Sequence, residues 1–563
     1  MSWSFEWKRC RKYRYLCLVQ KRWTPKGPRN VRQIYLGNAD NLYRKLSGPP
    51  RHLKSFPFGK SAALIHAAQK TGLWEALLHR LPRPSPEAAW LLLVQILARV
   101  EQPLSREGMA RWFPASALPL LAPWSSVPDG RVLRTALRQL YDTGEETEEG
   151  SPILTRARVR AIQEDVFRTL QGQGLHPRLV LYDGTNEFVH HRTGRWMKKG
   201  KSKARRYDKN LVGLGMVTVD SIPVVSEVFP GNENDMETFP TVFEALLKRL
   251  EHLEVESEQL MLVVDRGVNS TDNFDDVLGA MHVVASLKRN EAKELFGVPR
   301  ERFRKVGEDT KEEPVLGYAG SWEGFERSWR ALVTYRRAEA SHEEAKWEAA
   351  KAKVLPQVER WRRQRPNRKQ KVAMTKLVDL IPERYRGVFD YGVEEAWVRD
   401  KRGKPVLRYL PRCAVDAGKE AELKVSFGKS AIITDLSVEE CSDKELLEAS
   451  VARTEIEEQF RLLKDRYVIS IKPVWVWHDA NVPGHLFLCV MGLMLLRYLQ
   501  WEVRDLHLSV KELTERLGKI RVAVVNQNGK PGWVMEEMGV GETQLVSRFK
   551  LLDQIPKGSG IAG

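Results

Sequence analysis

Cysteine is scarce in this chain of 563 residues, and its five cysteines form no C-x-x-C pair. Structural zinc sites and disulfide frameworks need cysteines that are paired or closely spaced. The sequence therefore predicts neither kind of cross-link, and this cysteine usage fits a reducing cytoplasm.

Long apolar runs are also absent. The longest, residues 486–496, is too short for a bilayer-spanning helix, which needs about 20 apolar residues, and it predicts a buried helix instead. The basic N-terminal segment lacks the apolar stretch of a secretory signal. We therefore expect no membrane partner and a cytoplasmic location.

The phosphate-binding loop of nucleoside triphosphatases is missing as well. The tripeptide G-K-S occurs three times, but the glycine that should stand five residues before it is replaced by Lys54, Arg195 and Leu423. The sequence therefore excludes ATP or GTP hydrolysis at such a loop.

Acidic residues are fewer than basic ones: the chain has 73 Asp and Glu residues and 91 Lys and Arg residues, which gives a net charge of +18. Residues 1–60 alone carry +13, with Trp and Tyr between the basic residues. Two further basic runs lie at 192–209 and 360–371. A single run can be an ordinary solvated surface, but three runs with interleaved aromatics favour a nucleic-acid partner.

Hydrophobic periodicity predicts an α/β protein of six segments. Apolar strands followed by helices in residues 173–288 are typical of a mixed sheet. The predicted segments are a basic β-rich element (1–58), a helical region (59–172), a first part of the α/β core (173–288), a largely β insertion (289–440), a second part of the core with two helices (441–505) and a C-terminal region (506–563).

Two aspartates share one local pattern. Asp183 and Asp265 each follow a short apolar run and stand close before a glycine. Active-site carboxylates often lie at the carboxyl ends of buried strands, beside a cleft. The alternative is that Asp-Gly marks only a turn.

A third acid, Glu457, lies on a predicted helix. Arg453 precedes it by four residues and Lys464 follows it by seven, so all three project from one helical face. The alternative is an exposed helix with ordinary ion pairs. Three carboxylates in a basic protein favour metal-dependent phosphoryl transfer on nucleic acid, because Mg²⁺ prefers oxygen ligands and two such ions can promote an in-line displacement.

This spacing of Arg, Glu and Lys resembles the Tyr-Arg-Glu-Lys signature of the DDE transposases of bacterial insertion sequences. Ser450 stands at the Tyr position, three residues before Arg453, and is a departure from the signature. Four other stretches are similar to family motifs and follow the family order: 181–185, 229–235, 263–267 and 471–487. The resemblance covers about residues 10–500.

The resemblance implies an RNase H-like catalytic core, with a largely β insertion domain and a helical N-terminal DNA-binding region. It implies that Asp183, Asp265 and Glu457 are catalytic and bind two Mg²⁺ or Mn²⁺ ions. The expected reaction is cut-and-paste transposition, in which DNA is cleaved at terminal inverted repeats and joined to target DNA. A homodimer on paired DNA ends, in a bacterial cytoplasm and associated with the nucleoid, is expected on the same grounds.

The same resemblance assigns DNA contacts. Arg453 and Lys464 would contact phosphate at the element end, and Arg266, Arg205 and Arg206 are further candidates. Two alternatives remain open for the whole protein. One is an RNase H-like nuclease that cuts without joining, and the other is a catalytically silent DNA-binding protein derived from a transposase.

Overall fold

A computed structural model gives the fold of the chain. The residues it describes are 2–10, 13–38, 54–121, 129–146, 152–175, 177–190, 194–203, 206–309, 312–364, 369–399, 403–472, 474, 476, 481–527 and 530–555. They form two compact units. The first comprises Met1–Ala67, Glu107–Asp129 and Leu499–Gly563, and the second comprises Ala68–Arg106 and Gly130–Tyr498.

The strands are β1 Ser2–Cys10, β2 Tyr13–Thr24, β3 Gly27–Gly37, β4 Lys54–Pro57, β5 Asp142–Glu146, β6 Pro152–Thr155, β7 Leu179–Val189, β8 Asn210–Val219, β9 Ile222–Pro230, β10 Met261–Val264, β11 His282–Ser286, β12 Arg304–Glu308, β13 Pro314–Gly324, β14 Arg327–Tyr335, β15 Phe389–Arg399, β16 Pro405–Val415, β17 Lys429–Thr434, β18 Arg521–Gln527 and β19 Lys530–Met535. The α-helices are α1 Gly59–Lys70, α2 Leu73–Arg80, α3 Pro86–Glu101, α4 Arg106–Trp112, α5 Leu118–Leu121, α6 Gly130–Arg138, α7 Ala157–Gln171, α8 Asp235–His252, α9 Thr271–Leu278, α10 Lys293–Phe296, α11 Arg337–Gln364, α12 Gln370–Leu380, α13 Ala417–Val425, α14 Asp443–Lys464, α15 Asn481–Glu502, α16 Val510–Lys519 and α17 Val540–Arg548.

The first unit contains the basic N-terminal segment. Strands β1, β2 and β3 form an antiparallel sheet, as the alternating sequence predicts. Strand β4 does not join them and pairs with β18 of the C-terminal region, where Arg521 lies opposite Pro57. The predicted separation of residues 1–58 from residues 506–563 therefore differs from the structure, because a shared sheet connects the two segments.

The predicted helical region, 59–172, differs from the structure in its boundaries. It contributes to both units. Within it, the sequence predicts helices over 61–73 and 152–171. The first ends at Lys70, because Gly72 adopts a left-handed conformation with φ of 72° and caps a new helix, α2. The second begins only at Ala157, since residues 152–155 form β6, which pairs with β5.

The second unit is built on a mixed sheet of nine strands, in the order β12-β13-β14-β17-β11-β10-β7-β8-β9. Strands β7, β8 and β9 are consecutive and antiparallel, whereas β10 pairs in parallel with both β7 and β11. The four residues of β10 are apolar, and the last three are buried. The chain is therefore an α/β protein, and its central parallel strands are the buried runs that the sequence predicts.

The predicted insertion over 289–440 is wrong in extent and character. Strands β12, β13, β14 and β17 belong to the central sheet, which they join because β17 pairs with β11. Strand β14 buries Ala331, Leu332 and Val333 in succession, as a strand covered on both faces does. The longest part of this range outside the central sheet is 336–428, of which the structure describes 336–364, 369–399 and 403–428. They form α11, α12, the β15–β16 hairpin and α13 around a cluster that includes Trp347 and Phe389.

Two helices follow the insertion. Helix α14 starts with a capping box, in which Ser442 and Glu445 exchange hydrogen bonds, and it buries the predicted apolar face of Ile456, Phe460 and Leu463. Helix α15 is long and apolar enough to cross a membrane by composition, but its apolar window is fully buried within the protein. The prediction of a buried helix around 486–496 is confirmed.

Gly231, which follows β9, provides a test of the packing between β8 and the end of β9. A Cβ atom at this position would overlap the backbone carbonyl of Leu211 on β8, and the backbone of a paired strand cannot easily move aside. We expect Gly231→Ala to destabilise the second unit by about 1–3 kcal/mol, the usual cost of overpacking. Thermal unfolding checks this, with Gly387→Ala as control, because a Cβ at Gly387 meets no atom within 4 Å. Equal unfolding midpoints for the two variants would contradict the packing described.

Candidate active site

Asp183 lies on β7, and Asp265 directly follows the neighbouring strand β10. Parallel pairing of β7 and β10 sets Leu179 beside Met261 and Leu181 beside Val263. Continuing this register by two residues would set Asp183 opposite Asp265, and Asp265 is close enough to Asp183 to affect its pKa. Adjacent strands lie about 4.8 Å apart, so the pairing brings together two carboxylates that are distant in sequence.

Asp183 does not end its strand, contrary to the sequence-based prediction. Strand β7 continues to Val189 because it pairs with β8 along its whole length, and Gly184 is a strand residue rather than a turn. Asp265 does follow the end of β10, where the chain turns. The site therefore forms where a short strand stops beside a long one.

A further carboxylate, Asp235, occupies the space that two glycines leave. Asp235 is the first residue of α8, after the N-cap Asn234. A Cβ atom on Gly184 would overlap its Oδ1, and a Cβ on Gly267 would come within 3.4 Å of its Oδ2. The glycines after Asp183 and Asp265 thus admit a third aspartate between the two strand segments.

Electrostatics reflect this crowding of acids. The pKa of Asp183 is raised to about 6, chiefly by burial and also by the nearby carboxylates of Asp235 and Asp265, although Lys203 and the N–H of Gly184 oppose the shift. That N–H donates to Asp183 Oδ1 at 2.7 Å. The Asp183 carboxyl therefore binds a proton more readily than an ordinary aspartate does.

Glu457 joins the group through Arg453. Arg453 Nη1 lies 3.1 Å from Asp265 Oδ1 and 3.0 Å from Glu457 Oε1, so one guanidinium nitrogen bridges two acids from different elements. The Glu457 side chain is 52% exposed and Asp265 is 34% exposed, so the bridge is open to solvent. Helix α14 also packs against β7, β10 and β11, which sets it over the strand ends.

Two lysines, Lys203 and Lys464, lie near Asp183. Lys464 donates to Thr185 Oγ1 at 2.6 Å and to the carbonyl of Asn186 at 3.3 Å. Burial of its ammonium lowers the pKa of Lys464; Lys203 and Lys472 add to the decrease, and Glu187 opposes it. Lys203 lies 3.6 Å from Asp235 Oδ2 and also donates to the carbonyl of Gly184.

The three other arginines predicted to contact DNA differ in their exposure and in their partners. Arg266 is exposed, and its side chain forms no hydrogen bond or ion pair with residues that the structure describes. Arg206 is engaged with Asp208 through two hydrogen bonds of 2.8 Å and lies over the Phe188 ring. Arg205 lies outside the described residues.

The oxygen donors are of the kind that Mg²⁺ and Mn²⁺ take. Among the described residues, however, no three His, Cys, Asp or Glu side chains are close enough to form a ready metal cluster. In this structure the Arg453 guanidinium is the cation that contacts both Asp265 and Glu457. The donor chemistry fits a divalent ion, provided that Arg453 moves aside.

In the sequence, Asp235 belongs only to the motif over 229–235, and nothing there assigns it to the site. Acidic residues are common in the first turn of a helix because they interact favourably with the helix dipole, so such a residue gives no specific indication of a catalytic role. Lys203 was counted only as one charge of the 192–209 run. The available signal was the glycine beside each aspartate, which indicated close approach of another group.

No family model matches the chain, and no curated protein sequence matches it. Among solved structures, it is similar to the piggyBac transposase in a synaptic complex with hairpin DNA, determined by cryo-EM. The TM-score is 0.34 at 10% sequence identity, and the alignment covers 81% of this chain and 76% of that one. Since this likeness is distant, the functional proposal depends on the geometry of the site.

The raised pKa of Asp183 predicts a pH-dependent stability change. Its folded pKa of about 6 lies above the unfolded value of about 3.9. Ionisation is thus disfavoured in the native state, whose stability falls as the pH rises from about 4 to about 6 and stays lower above that range. We expect Asp183→Asn to stabilise the protein by up to about 3 kcal/mol at neutral pH, with no gain below about pH 4.

Thermal unfolding of wild type and Asp183→Asn across this pH range measures the effect. Glu448→Gln is the control, because Glu448 is an exposed acid on α14 that pairs only weakly with Lys444 at 3.8 Å. A constant difference between wild type and Asp183→Asn at all pH values would show that the carboxyl is not perturbed.

The Arg453 bridge yields a prediction about cation binding. Arg453→Gln removes the positive charge between Asp265 and Glu457, so both carboxylates lose their counter-ion. We expect Mn²⁺ to bind about tenfold more tightly in the absence of DNA, equivalent to about 1.4 kcal/mol.

Calorimetric titration with Mn²⁺ tests the Arg453 prediction directly. Arg461→Gln serves as the control, since Arg461 lies on the same helix, is 77% exposed and pairs with Glu458 instead. Unchanged or weaker Mn²⁺ binding in Arg453→Gln would show that the guanidinium does not compete for the site.

Proposed function

We propose that the chain is a DDE-type DNA transposase that cleaves and joins DNA at Asp183, Asp265 and Glu457. The observation that carries the proposal is the convergence of these acids: parallel pairing of β7 and β10 brings Asp265 near Asp183, and Arg453 joins Asp265 to Glu457. These acids are far apart in the sequence, so their convergence in the structure is best explained by a shared role at one site.

The RNase H-like core is proposed for strands β7 to β11. There, a three-stranded antiparallel meander is extended by two parallel strands, with α14 packed across them. This arrangement supports the proposal, because it presents two strand-borne acids and one helix-borne acid to the same side of the sheet.

The side chains suggest a division of labour. Asp265 and Glu457 would hold a divalent ion after Arg453 turns to a DNA phosphate, and Asp183 would complete the donor set once it is deprotonated. Bound Mg²⁺ or Mn²⁺ ions, two in number, would supply an activated oxygen nucleophile and stabilise the leaving oxygen.

The cations would position the DNA strand. Arg453 is suited to a phosphate because guanidinium groups form charge-assisted, two-point hydrogen bonds. Lys464 and Lys203 lie beside Asp183 and could hold a second phosphate, and their hydrogen bonds to Thr185 and Gly184 fix them against β7. Arg266 is already exposed to solvent next to Asp265.

The proposed partners are element-end inverted repeats and target DNA, bound by a homodimer on paired ends in the cytoplasm. The basic segment of the first unit supports DNA binding outside the chemistry. Its strands expose the aromatic side chains of Trp3, Trp7 and Trp23 among basic residues, a combination suited to nucleic acid.

The test combines the purified protein, Mn²⁺ or Mg²⁺, a labelled oligonucleotide and a supercoiled plasmid. The oligonucleotide is the inverted repeat found in the DNA flanking the coding sequence. We expect cleavage at the repeat end and its joining to the plasmid. Asp183→Asn, Asp265→Asn and Glu457→Gln should each lower both activities by at least about 100-fold, because each removes one donor of the site.

Glu448→Gln again provides the matched control and should retain activity, since it changes an exposed acid of α14 away from the site. Cleavage without joining would support a nuclease instead. Full activity in all three acid variants would refute the catalytic assignment, and an inactive wild type that still binds the repeat would support a silent DNA-binding protein.

A further inference from the structure

A cleft of about 800 Å³ opens beside the proposed catalytic acids and extends to the inserted segment. Asp265 and Glu457 line one end, together with Arg453, and Arg289, Glu343 and Arg384 line another part. None of the three basic runs of the sequence contributes to its lining, so the cleft is a separate feature from the charge clusters that the composition reveals.

The sheet itself brings the lining residues together. Strands β10 and β11 are parallel, so the segments after them, 265–266 and 287–290, emerge at the same edge. Strand β17 runs antiparallel to β11, and its first residues therefore begin at that edge too. The residues of the insertion that line the cleft come from α11 and from the segment after α12.

One carboxylate orders two arginines on the cleft wall. Arg289 Nη2 and Arg384 Nη2 each donate to Glu343 Oε1 at 2.6 Å, and Gly428 N donates to Glu343 Oε2 at 3.0 Å. Arg289 is also held by Ser426 Oγ at 2.6 Å. Two positive charges thus converge on a single negative charge, which fixes both guanidinium groups and leaves a net positive wall.

The exposure of these groups shows which are available to a ligand. Glu343 is 16% exposed, whereas Arg289 and Arg384 are 35% and 41% exposed. Burial disfavours the charged form of Glu343, but hydrogen bonds from Arg289, Arg384 and Gly428 outweigh it, so the pKa of Glu343 is lowered. The arginines therefore present their remaining N–H groups to the cleft while Glu343 serves as their fixed anchor.

Between this wall and the acids lie two more cations. Arg266 forms no hydrogen bond or ion pair within the described part of the chain. The Lys288 side chain is 41% exposed and lies 3.6 Å from Glu291. Both side chains line the cleft, so a positive lining continues from Asp265 to the Arg289–Arg384 pair.

The size of the cleft limits the occupant. A volume of about 800 Å³ lies within the roughly 300–1,000 Å³ of pockets for ligands of drug size. Such a space takes a few nucleotides of one strand, and not a duplex, whose major groove alone is about 12 Å wide. The regularly repeated negative charge of a phosphodiester backbone matches a positive lining that leads to catalytic acids.

We infer that this cleft binds a short segment of single-stranded DNA through its phosphates and guides it from the Arg289–Glu343–Arg384 wall to Asp265 and Glu457. The part of this inference in which the strand is guided to catalytic acids rests on the proposed function. Binding of the strand itself depends only on the lining residues and can be measured without catalysis.

Glu343→Gln gives the sharpest test. Fluorescence anisotropy of a labelled oligothymidylate is measured in EDTA, so that no cleavage occurs. If Glu343 anchors the arginines, the substitution weakens DNA binding by about tenfold, which corresponds to the free energy of one charge-assisted hydrogen bond. Binding weakens in this case although a negative charge has been removed from the cleft. If only net charge matters, binding tightens. Glu339→Gln is the matched control, because Glu339 lies one turn earlier on α11 and is 50% exposed.

Arg266→Gln tests the cleft without disturbing the fold, since Arg266 has no partner in the described structure to lose. We expect weaker binding and a salt dependence whose slope falls by about 0.7, as for one phosphate contact on a single strand. Arg461→Gln is the control, because Arg461 is 77% exposed on α14, lies outside the three basic runs and is not a lining residue of the cleft.

Thermal unfolding establishes that each variant is folded. Wild-type affinity in both Glu343→Gln and Arg266→Gln would overturn the inference, even if cleavage and joining are observed. Loss of strand binding in both variants, in a protein that shows no metal-dependent cleavage, would support the cleft while refuting the transposase. The two proposals are therefore separable.

Discussion

Parallel hydrogen bonding between β7 and β10 is the constraint on which the candidate site depends. Its register brings Asp265 near Asp183, and a slip of one residue would turn one of the two side chains to the opposite face of the sheet. The neighbouring strand β11 uses the same parallel pairing. Its following segment therefore reaches the same edge and lines the cationic cleft.

This arrangement concentrates like charges and has a cost in stability. Asp183, Asp235 and Asp265 lie near one another, and the pKa of Asp183 rises because its ionised form is buried beside other acids. Arg453 and Lys203 compensate part of this charge through Asp265, Glu457 and Asp235. A site that binds divalent cations and phosphate would show this pattern, since its ligands would replace the internal partners.

Much of the local structure follows from the sequence. Apolar runs correctly predict strands at β7 to β11, and helical spacing correctly predicts the apolar face of α14, because local periodicity reports burial. The i,i+4 spacing of Arg453 and Glu457 likewise predicts their contact. These relations lie within single elements, where spacing in sequence determines spacing in the structure.

Relations between elements were harder to predict. The sequence does not show that β17 pairs with β11, so four strands of the central sheet were assigned to an insertion. The continuation of β7 beyond Asp183 depends on its pairing with β8, and the contact of Asp235 with Gly184 joins segments about fifty residues apart. The sharing of Glu343 by Arg289 and Arg384 arises in the same way, from three separate elements.

The central claim is that Asp183, Asp265 and Glu457 together bind the divalent cations of one site when DNA is bound. Iron-directed backbone cleavage measures this most directly: Fe²⁺ replaces Mg²⁺, ascorbate and peroxide generate hydroxyl radicals at the ion, and the cut peptides are mapped. The account predicts cuts near residues 183, 265 and 457 together, all lost in Asp265→Asn. Cuts near one of these positions alone, or a pattern unchanged by Asp265→Asn, would contradict it.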